Sequence, residues 1–467
     1  MRLVSTRGRA PEIGFREAVL TGLAADGGLY VPLVWPKAPP GDLAAFGDVS
    51  FADAATWVLS LFAGGEIDLA ELAAMSTRAY AGFDHGEVAP LRPLSRDTEI
   101  LELFHGPTLA FKDVAMRMLA ELYGWALRDA RRGKTIIGAT SGDTGGAAVA
   151  AFAGKPNVEV FMLHPKDRIS EVQRRMMTTE TAPNIRNLAV EGSFDDCQRI
   201  VKSLFTDPVI ATRCDLGGVN SINWVRLAVQ ATYFLTTAAR RPGAAFVVPT
   251  GNFGDIFAGY CAKRMGAPIG PLIAATNRND IIRRAIETGV YEPSAVAATT
   301  SPSMDIQVAS NFERLLFEAS GRDARAICEL MDSLNREGRF ETPPRWREAI
   351  AADFIAERAD ETEVSALMRR CLEEHDLLVD PHTAVGLVAA EKLRAAGRLQ
   401  SRMICLATAH PAKFPDAVEA ATGRRPALPS RLAGLMTSEE RFDVIRAEPA
   451  KVGSHIIANS LYAERKR

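Results

Sequence analysis

From about residue 96 onward the chain alternates short apolar, β-branched runs with longer stretches in which apolar residues recur every three or four positions. Runs near 98–104, 135–139, 157–163, 184–190, 245–249, 271–276 and 402–407 predict strands, and the segments between them, VAMRMLAELYGWAL for example, predict helices. Such βα alternation predicts an α/β fold class. Two parallel-sheet lobes are covered by helices, with ligands held at the strand carboxyl ends between them. Residues 1–95 read instead as a mainly helical N-terminal domain, with FADAATWVLSLFA and DLAELAAMSTRAYAGF around a short extended GGLYVPLVWP. The lobes divide as 96–135 with 241–430 for the larger and 136–240 for the smaller. Residues 300–375 read as charged helices with solvated faces, and the polar stretch SPSMDIQVASNFERL, 301–315, is placed to line the cleft. Residues 431–467 read as a C-terminal tail without clear periodicity, its end disordered.

Chemistry gathers where the pattern switches from strand to helix. In HGPTLAFKDVA, residues 105–115, Lys112 stands after Phe111 at the start of a strongly helical run. The helix dipole opposes a positive charge there, and partial burial opposes it again, so both lower the amine pKa and suit Schiff-base chemistry. A second switch, TIIGATSGDTGGAAVAAFA at 135–153, passes through Thr140, Ser141, Gly142, Asp143 and Thr144. Its glycines admit a ligand to the backbone, and the following helix start supplies N–H groups for a carboxylate or phosphate. No Lys-Ser or Lys-Thr pair closes this loop, so it is not a Walker motif. AFVVPTGNFGDIFAGYCAKRM, 245–265, repeats the design around Gly251, Asn252, Phe253, Gly254 and Asp255. Two anion loops imply two anions. A third switch, HDLLVDPHTAVGLVAAEKL, puts Thr383 in the first turn after Asp380-Pro381. Each feature also has a plain structural explanation: a surface lysine, an ordinary βα turn, a helix cap. Their joint occurrence favours a site.

Composition narrows the function classes. With 467 residues and 47% apolar content the chain is long enough for two or three domains with large cores. A net charge of −2 gives no reason to expect nucleic acid or an anionic membrane surface. The six cysteines are at least 17 residues apart, without CxxC or metal-ligand spacing, and read as reduced buried thiols. His105, His164, His382 and His410 lie at element ends but form no HxxxH or HExxH pair, so no metal is expected. The N-terminus lacks a signal-peptide core, and no window approaches 18 uninterrupted apolar residues, so neither secretion nor membrane spanning is expected.

HGPTLAFKD, TSGDTG, NSINWVR and PTGNFGD, in this order, resemble the threonine synthase family, pyridoxal-phosphate enzymes of the tryptophan-synthase-β-like group, fold type II. The opening Ser5-Thr6-Arg7-Gly8 and FREAVLTGLAADGGLYVP resemble the start of the bacterial and fungal form, and the likeness runs from about residue 2 to about residue 425. The resemblance implies that Lys112 carries pyridoxal 5'-phosphate as an imine beside Phe111. Gly251 to Asp255 hold its phosphate in the larger, cofactor-binding lobe, and Thr383 meets its pyridine nitrogen. It also implies that Thr140 to Gly145 receive the substrate carboxylate, while Asn220, Ser221 and Arg226 hold the phosphate of O-phospho-L-homoserine. Where many members have Asn in the TSG-x-TG loop, this chain has Asp143, which must point away from an anionic substrate or bond locally.

The implied reaction converts O-phospho-L-homoserine and water to L-threonine and phosphate by β,γ-replacement, a carbon–oxygen lyase reaction in threonine biosynthesis. The freed Lys112 amine is the economical proton carrier. A phospholyase releasing 2-oxobutanoate would need nearly the same residues. A non-enzymatic phospho-amino-acid sensor would not need Lys112, and a dehydratase or cysteine-synthase-like enzyme would not need Asn220, Ser221 and Arg226. A cytoplasmic monomer or homodimer acting on a small molecule is expected.

Overall fold

In the computed structural model, which describes residues 1–130 and 133–463, the alternation resolves into two separate sheets. The larger runs from edge to edge as Phe354–Arg358, Leu272–Thr276, Ala245–Pro249, Met403–Ala407, Thr98–Glu102 and Leu91–Pro93. All neighbours are parallel except the last pair, where Leu91 faces Leu101 antiparallel. The three central strands are buried on both faces, which is why they read as unbroken apolar runs. Alternate side chains serve different cores. Phe246, Val248, Leu272, Ala274, Ile404 and Leu406 pack toward the N-terminal domain, while Val247, Ile273, Ala275, Met403 and Cys405 pack with Val364, Leu367, Val385 and Leu393 on the opposite side.

The smaller sheet is wholly parallel, ordered Asp443–Arg446, Ile185–Glu191, Val158–Pro165, Lys134–Ala139 and Leu216–Gly217. Ahead of both lobes, the helices Phe51–Ala63 and Leu69–Tyr80 begin at Ser50 and Asp68, whose side chains accept from the first-turn amides. The extended GGLYVP contributes the strand Tyr30–Pro32, paired antiparallel with Leu3–Ser5.

The structure redraws four boundaries. Leu91–Pro93 already belongs to the larger sheet, and the 135/136 division falls inside the strand Lys134–Ala139. Trp224–Arg240, expected in the smaller lobe, packs against Phe51–Ala63, Lys112–Ala126 and Gly254–Met265. It is buried along almost its whole length, its polar side with Arg226, Gln230 and Tyr233 included, so a solvent-facing polar stripe does not decide its place. Within 300–375 the structure adds the strand Phe354–Arg358 to the expected helices. This is an edge strand, and its half-polar FIAER pattern fits a position paired on one side only. Nor does 431–463 stand apart as a tail: Asp443–Arg446 extends the smaller sheet beside Ile185–Glu191, and Pro449–Asn459 packs on Phe194–Thr206. The expected disordered end falls on 464–467, outside the described residues.

Four strands now point their carboxyl ends at one region. Thr98–Glu102 leads into the loop before Lys112, Ala245–Pro249 into Gly251, Met403–Ala407 into His410, and Lys134–Ala139 of the smaller sheet into Ser141.

Candidate functional site

Lys112 is the first residue of the helix Lys112–Ala126. The loop before it is rigid because the buried Asp113 folds back over it, accepting from the Thr108 amide and hydroxyl at 2.7 Å each. The Phe111 amide donates to the Thr408 carbonyl at 2.9 Å, tying the loop to the end of the central strand. The Lys112 ammonium lies 4.8 Å from the Phe111 ring centroid and 3.3 Å from Asp143 Oδ2. Burial pushes its pKa down. Asp143 pulls it back up, and Lys413 and Arg226 push it further down.

Asp143 opens the helix Asp143–Phe152, whose N-cap, Gly142, has no side-chain acceptor to offer. Gly142 needs to be glycine: its φ is +129°, and a Cβ there would sit 2.5 Å from the Gln173 side chain. Thr140 Oγ1 accepts from the amides of Gly142 and Gly145, both at 2.9 Å, while the Ser141, Asp143 and Thr144 amides have no acceptor among the described residues. An uncapped row of donors with a helix dipole behind it is an anion cradle.

The Asp143 carboxylate itself is fully engaged. Oδ1 takes Lys413 Nζ at 2.7 Å and Gln173 Nε2 at 3.0 Å, and Oδ2 takes Lys112 Nζ and the Ser303 hydroxyl, the latter at 2.9 Å. Burial alone would raise this carboxyl, but Lys413, Lys112 and His382 together hold it well below the usual range. These partners come from other stretches of the chain, not from the loop that holds Asp143. What the loop offers a ligand at position 143 is its amide, not its side chain.

The second cradle opens the helix Gly254–Met265. Phe253 is its N-cap with φ +64°, a left-handed conformation that a non-glycine residue adopts at a cost of about 1–3 kcal/mol. The amides of Gly251 to Asp255 have no acceptor among the described residues. A Cβ on Gly251 would lie 2.8 Å from the Ser303 carbonyl, so Ser303 touches both cradles. Asp255 differs from Asp143. Burial pushes it up to about 7, only partly opposed by the Tyr233 hydroxyl that donates to it and by Lys112 and Arg226, and its Oδ2 has no hydrogen-bond partner among the described residues.

Arg226 is buried in the first turn of Trp224–Arg240, one N–H donating to the Val219 carbonyl at 3.1 Å and Nε without a partner among the described residues. Its burial pushes its pKa down to about 10. Ser221 is held beside the Gly251 loop through Asn311 Nδ2, which donates to the Ser221 and Asn252 carbonyls at 3.2 and 3.0 Å. Asn220 is exposed. Thr383 lies buried in the helix Pro381–Ala395, its hydroxyl and amide both donating to Asp380. Asp380 also accepts from His382 Nδ1 at 2.7 Å, and His382 Nε2 accepts from the Ser303 amide at 3.2 Å.

The geometry thus brings together Lys112, Phe111, both loops, Ser221, Arg226 and Thr383. Sequence reasoning missed Lys413, Gln173 and Asp380, and anticipated Ser303 only as part of a polar segment. Lys413 had a readable signal: it follows the predicted strand 402–407 by six residues, at the carboxyl edge where ligands sit. Among the described residues no group of His, Cys, Asp and Glu could hold a metal ion, and no helix is long and apolar enough to cross a membrane. All six cysteines are buried.

Comparison with known proteins agrees in three segments. The family models described as Threonine synthase N terminus, Pyridoxal-phosphate dependent enzyme, and Threonine synthase, C-terminal match residues 2–80, 90–409 and 383–456. The chain is 46% identical to a threonine synthase of Pseudomonas aeruginosa, over 98% of each chain. It is 41% identical to that of Schizosaccharomyces pombe, over 96% of this chain and 95% of the relative. It superposes on the pyridoxal-phosphate-bound threonine synthase of Brucella melitensis with a TM-score of 0.95 and 48% identity, covering 99% of this chain and 100% of that one.

Proposed function

The chain belongs to the threonine synthase family, and from that premise we propose how its residues divide the conversion of O-phospho-L-homoserine and water to L-threonine and phosphate. The observation that carries the division is a buried lysine amine lying against one of two uncapped helix N-termini, with the second joined to that contact through Ser303. Pyridoxal 5'-phosphate, the family's cofactor, supplies the electron sink that acidifies the substrate α carbon.

The residues fit that cofactor. Lys112 would hold it covalently, and the same amine is placed to take and return the protons moved at the α and β carbons. The free amides of Gly251 to Asp255 would cradle its phosphate, and the raised Asp255 carboxyl would meet that anion with its own charge reduced. Phe111 supports the Lys112 nitrogen from one side. Thr383 would donate its hydroxyl to the ring nitrogen, giving up the hydrogen bond that it donates to Asp380.

Substrate binding falls to the other donors. The free amides of Ser141, Asp143 and Thr144 and the hydroxyls of Thr140, Ser141 and Thr144 take the carboxylate, and Arg226, whose Nε has no partner among the described residues, takes the phosphate with Asn220 and Ser221. Keeping the carboxylate anchored while phosphate departs and water adds favours threonine over early release. Buried cysteines without CxxC spacing suit a reducing cytosol.

The experiment is turnover of O-phosphohomoserine in ¹⁸O-water. Label should appear in the threonine hydroxyl, because phosphate leaves with the original γ oxygen. Ser141→Ala, which weakens the carboxylate anchor, should raise the share of 2-oxobutanoate. If the unmodified protein yields 2-oxobutanoate and no labelled threonine, the phospholyase reading replaces this one.

A further inference from the structure

Lys413 lies 270 residues after Asp143, yet the two form a buried ion pair at 2.7 Å with Lys413 only 1% exposed. Its place is fixed from both sides. Its carbonyl accepts from the Ser170 hydroxyl at 3.1 Å, and Ser170 forms a capping box with Gln173, the residue that shares Asp143 Oδ1 with it. Two lysines therefore divide one carboxylate, Lys413 on one oxygen and Lys112 on the other.

We propose that Lys413 is a positioning residue that sets the protonation of the Lys112 nitrogen by sharing Asp143 with it. The inference rests on the reading of Lys112 as the lysine that carries the cofactor.

The physical argument has two parts. Lys413 holds Asp143 as a carboxylate in a site where burial would otherwise favour its protonated form, so Lys112 always faces a negative charge. At the same time its own charge engages one oxygen of that carboxylate and repels Lys112, so the pull on the Lys112 proton is moderated. A nitrogen that must alternately take and give up protons needs a moderated partner: an unshared carboxylate would keep it protonated, and none would keep it bare. The other groups facing Lys112 are Arg226, which also opposes its charge, and Asp255, which is coupled to it across the site. Asp143 additionally feels His382, and Lys413 is coupled to the buried Asp113.

The test is a pH titration of the visible absorption band of the holoenzyme, a spectroscopic report on the Lys112 nitrogen that needs no turnover. In Lys413→Met the whole of Asp143 falls to Lys112, so the midpoint should rise by about one pH unit or more. In Asp143→Asn the attraction disappears while Lys413 stays, so the midpoint should fall. Lys413→Arg keeps the charge and should titrate as the unmodified enzyme does. A role in packing alone would leave all three midpoints together, and that result, or a downward shift in Lys413→Met, overturns the proposal. If Lys413→Met does not fold, the fall in Asp143→Asn with no shift in Lys413→Arg supports it and an unmoved Asp143→Asn overturns it. Borohydride reduction and peptide mapping separate the two levels of inference: cofactor on a lysine other than Lys112 sinks the underlying reading, whereas cofactor on Lys112 with unmoved midpoints sinks this one alone.

Discussion

Two turns of this protein have nearly the same chemistry on paper. Thr140-Ser141-Gly142-Asp143 and Gly251-Asn252-Phe253-Gly254-Asp255 each follow a buried strand, each leave a helix N-terminus uncapped, and each place an aspartate in the first helical turn. Both aspartates are buried to within a few per cent. Their ionisation nevertheless goes in opposite directions, Asp143 well below the usual carboxylate range and Asp255 up to about 7. Burial acts the same way on both. The difference lies in the partners: Asp143 touches two ammonium groups, whereas the one direct partner of Asp255 is a phenol, with Lys112 and Arg226 acting on it only at longer range. Loop composition and helix dipole therefore do not decide the charge state of a cradle; the nearest titratable side chain does. The consequence is functional, since a cradle whose acid is pushed toward its neutral form suits a doubly charged anion, and one whose acid is already paired suits a singly charged one.

The most severe way to break the comparison is to neutralise each aspartate in turn. Asp143→Asn leaves Lys413 and Lys112 buried without their shared counter-charge, and removing one partner of a buried pair typically costs about 3–5 kcal/mol. Chemical denaturation of the cofactor-free chain should show a loss of that order. If Asp143→Asn and Asp255→Asn have equal effects, the two turns are electrostatically alike and the argument from partners fails.

A more selective test lies on Arg226, the buried cation that faces Lys112 and Asp255. Arg226→Lys replaces a planar fork by a point charge and should weaken O-phosphohomoserine binding by roughly 1–3 kcal/mol, leaving cofactor retention little changed. Equilibrium dialysis of cofactor and substrate separates the outcomes. Lost cofactor with normal substrate affinity in the remaining holo fraction would move Arg226 to the cradle of Gly251 to Asp255.

How far the sequence already carried this comparison depends on what each feature needs. The strands ending at Ala139, Pro249 and Ala407 were legible because buried parallel strands are continuous apolar runs cut off by Gly, Pro or polar residues. Phe354–Arg358 and Asp443–Arg446 were not, since edge strands keep polar residues on their open side and resemble loop or helix surface. The glycines, hydroxyls and lysine of the cradles are local motifs, and they stand where the turns were expected. The partners that fix their charge are not local. Lys413, Ser303, Gln173 and Asp143 meet from four separate stretches of chain, and only tertiary packing brings them together. The Trp224–Arg240 helix teaches the same point at larger scale, because a helix whose polar side is buried along with its apolar one carries no sequence signal for which lobe will bury it.

The smallest predicted effect is the most diagnostic in sign. Asp255 titrates near 4 in an unfolded chain and near 7 in the folded one, so between these values the folded protein binds the extra proton. Its contribution to stability is complete below about pH 4 and is lost as pH rises through about 7. Asp255→Asn keeps a neutral side chain of the same shape at every pH, and the asparagine amide can still accept from Tyr233. The cofactor-free variant should therefore match the unmodified chain at pH 5 and exceed it at pH 8, by on the order of 1 kcal/mol, or about 1 °C in Tm for a chain of this length. Asp143→Asn should show the reverse, with its deficit fully present at both pH values, because the Asp143 carboxylate stays ionised throughout that window. Thermal melts of the two variants at the two pH values give four comparisons. A pH-independent Asp255→Asn, or one less stable than the unmodified chain at pH 8, would mean that this carboxyl titrates in the fold as in the unfolded chain and that the Gly251 to Asp255 turn carries a full negative charge at neutral pH.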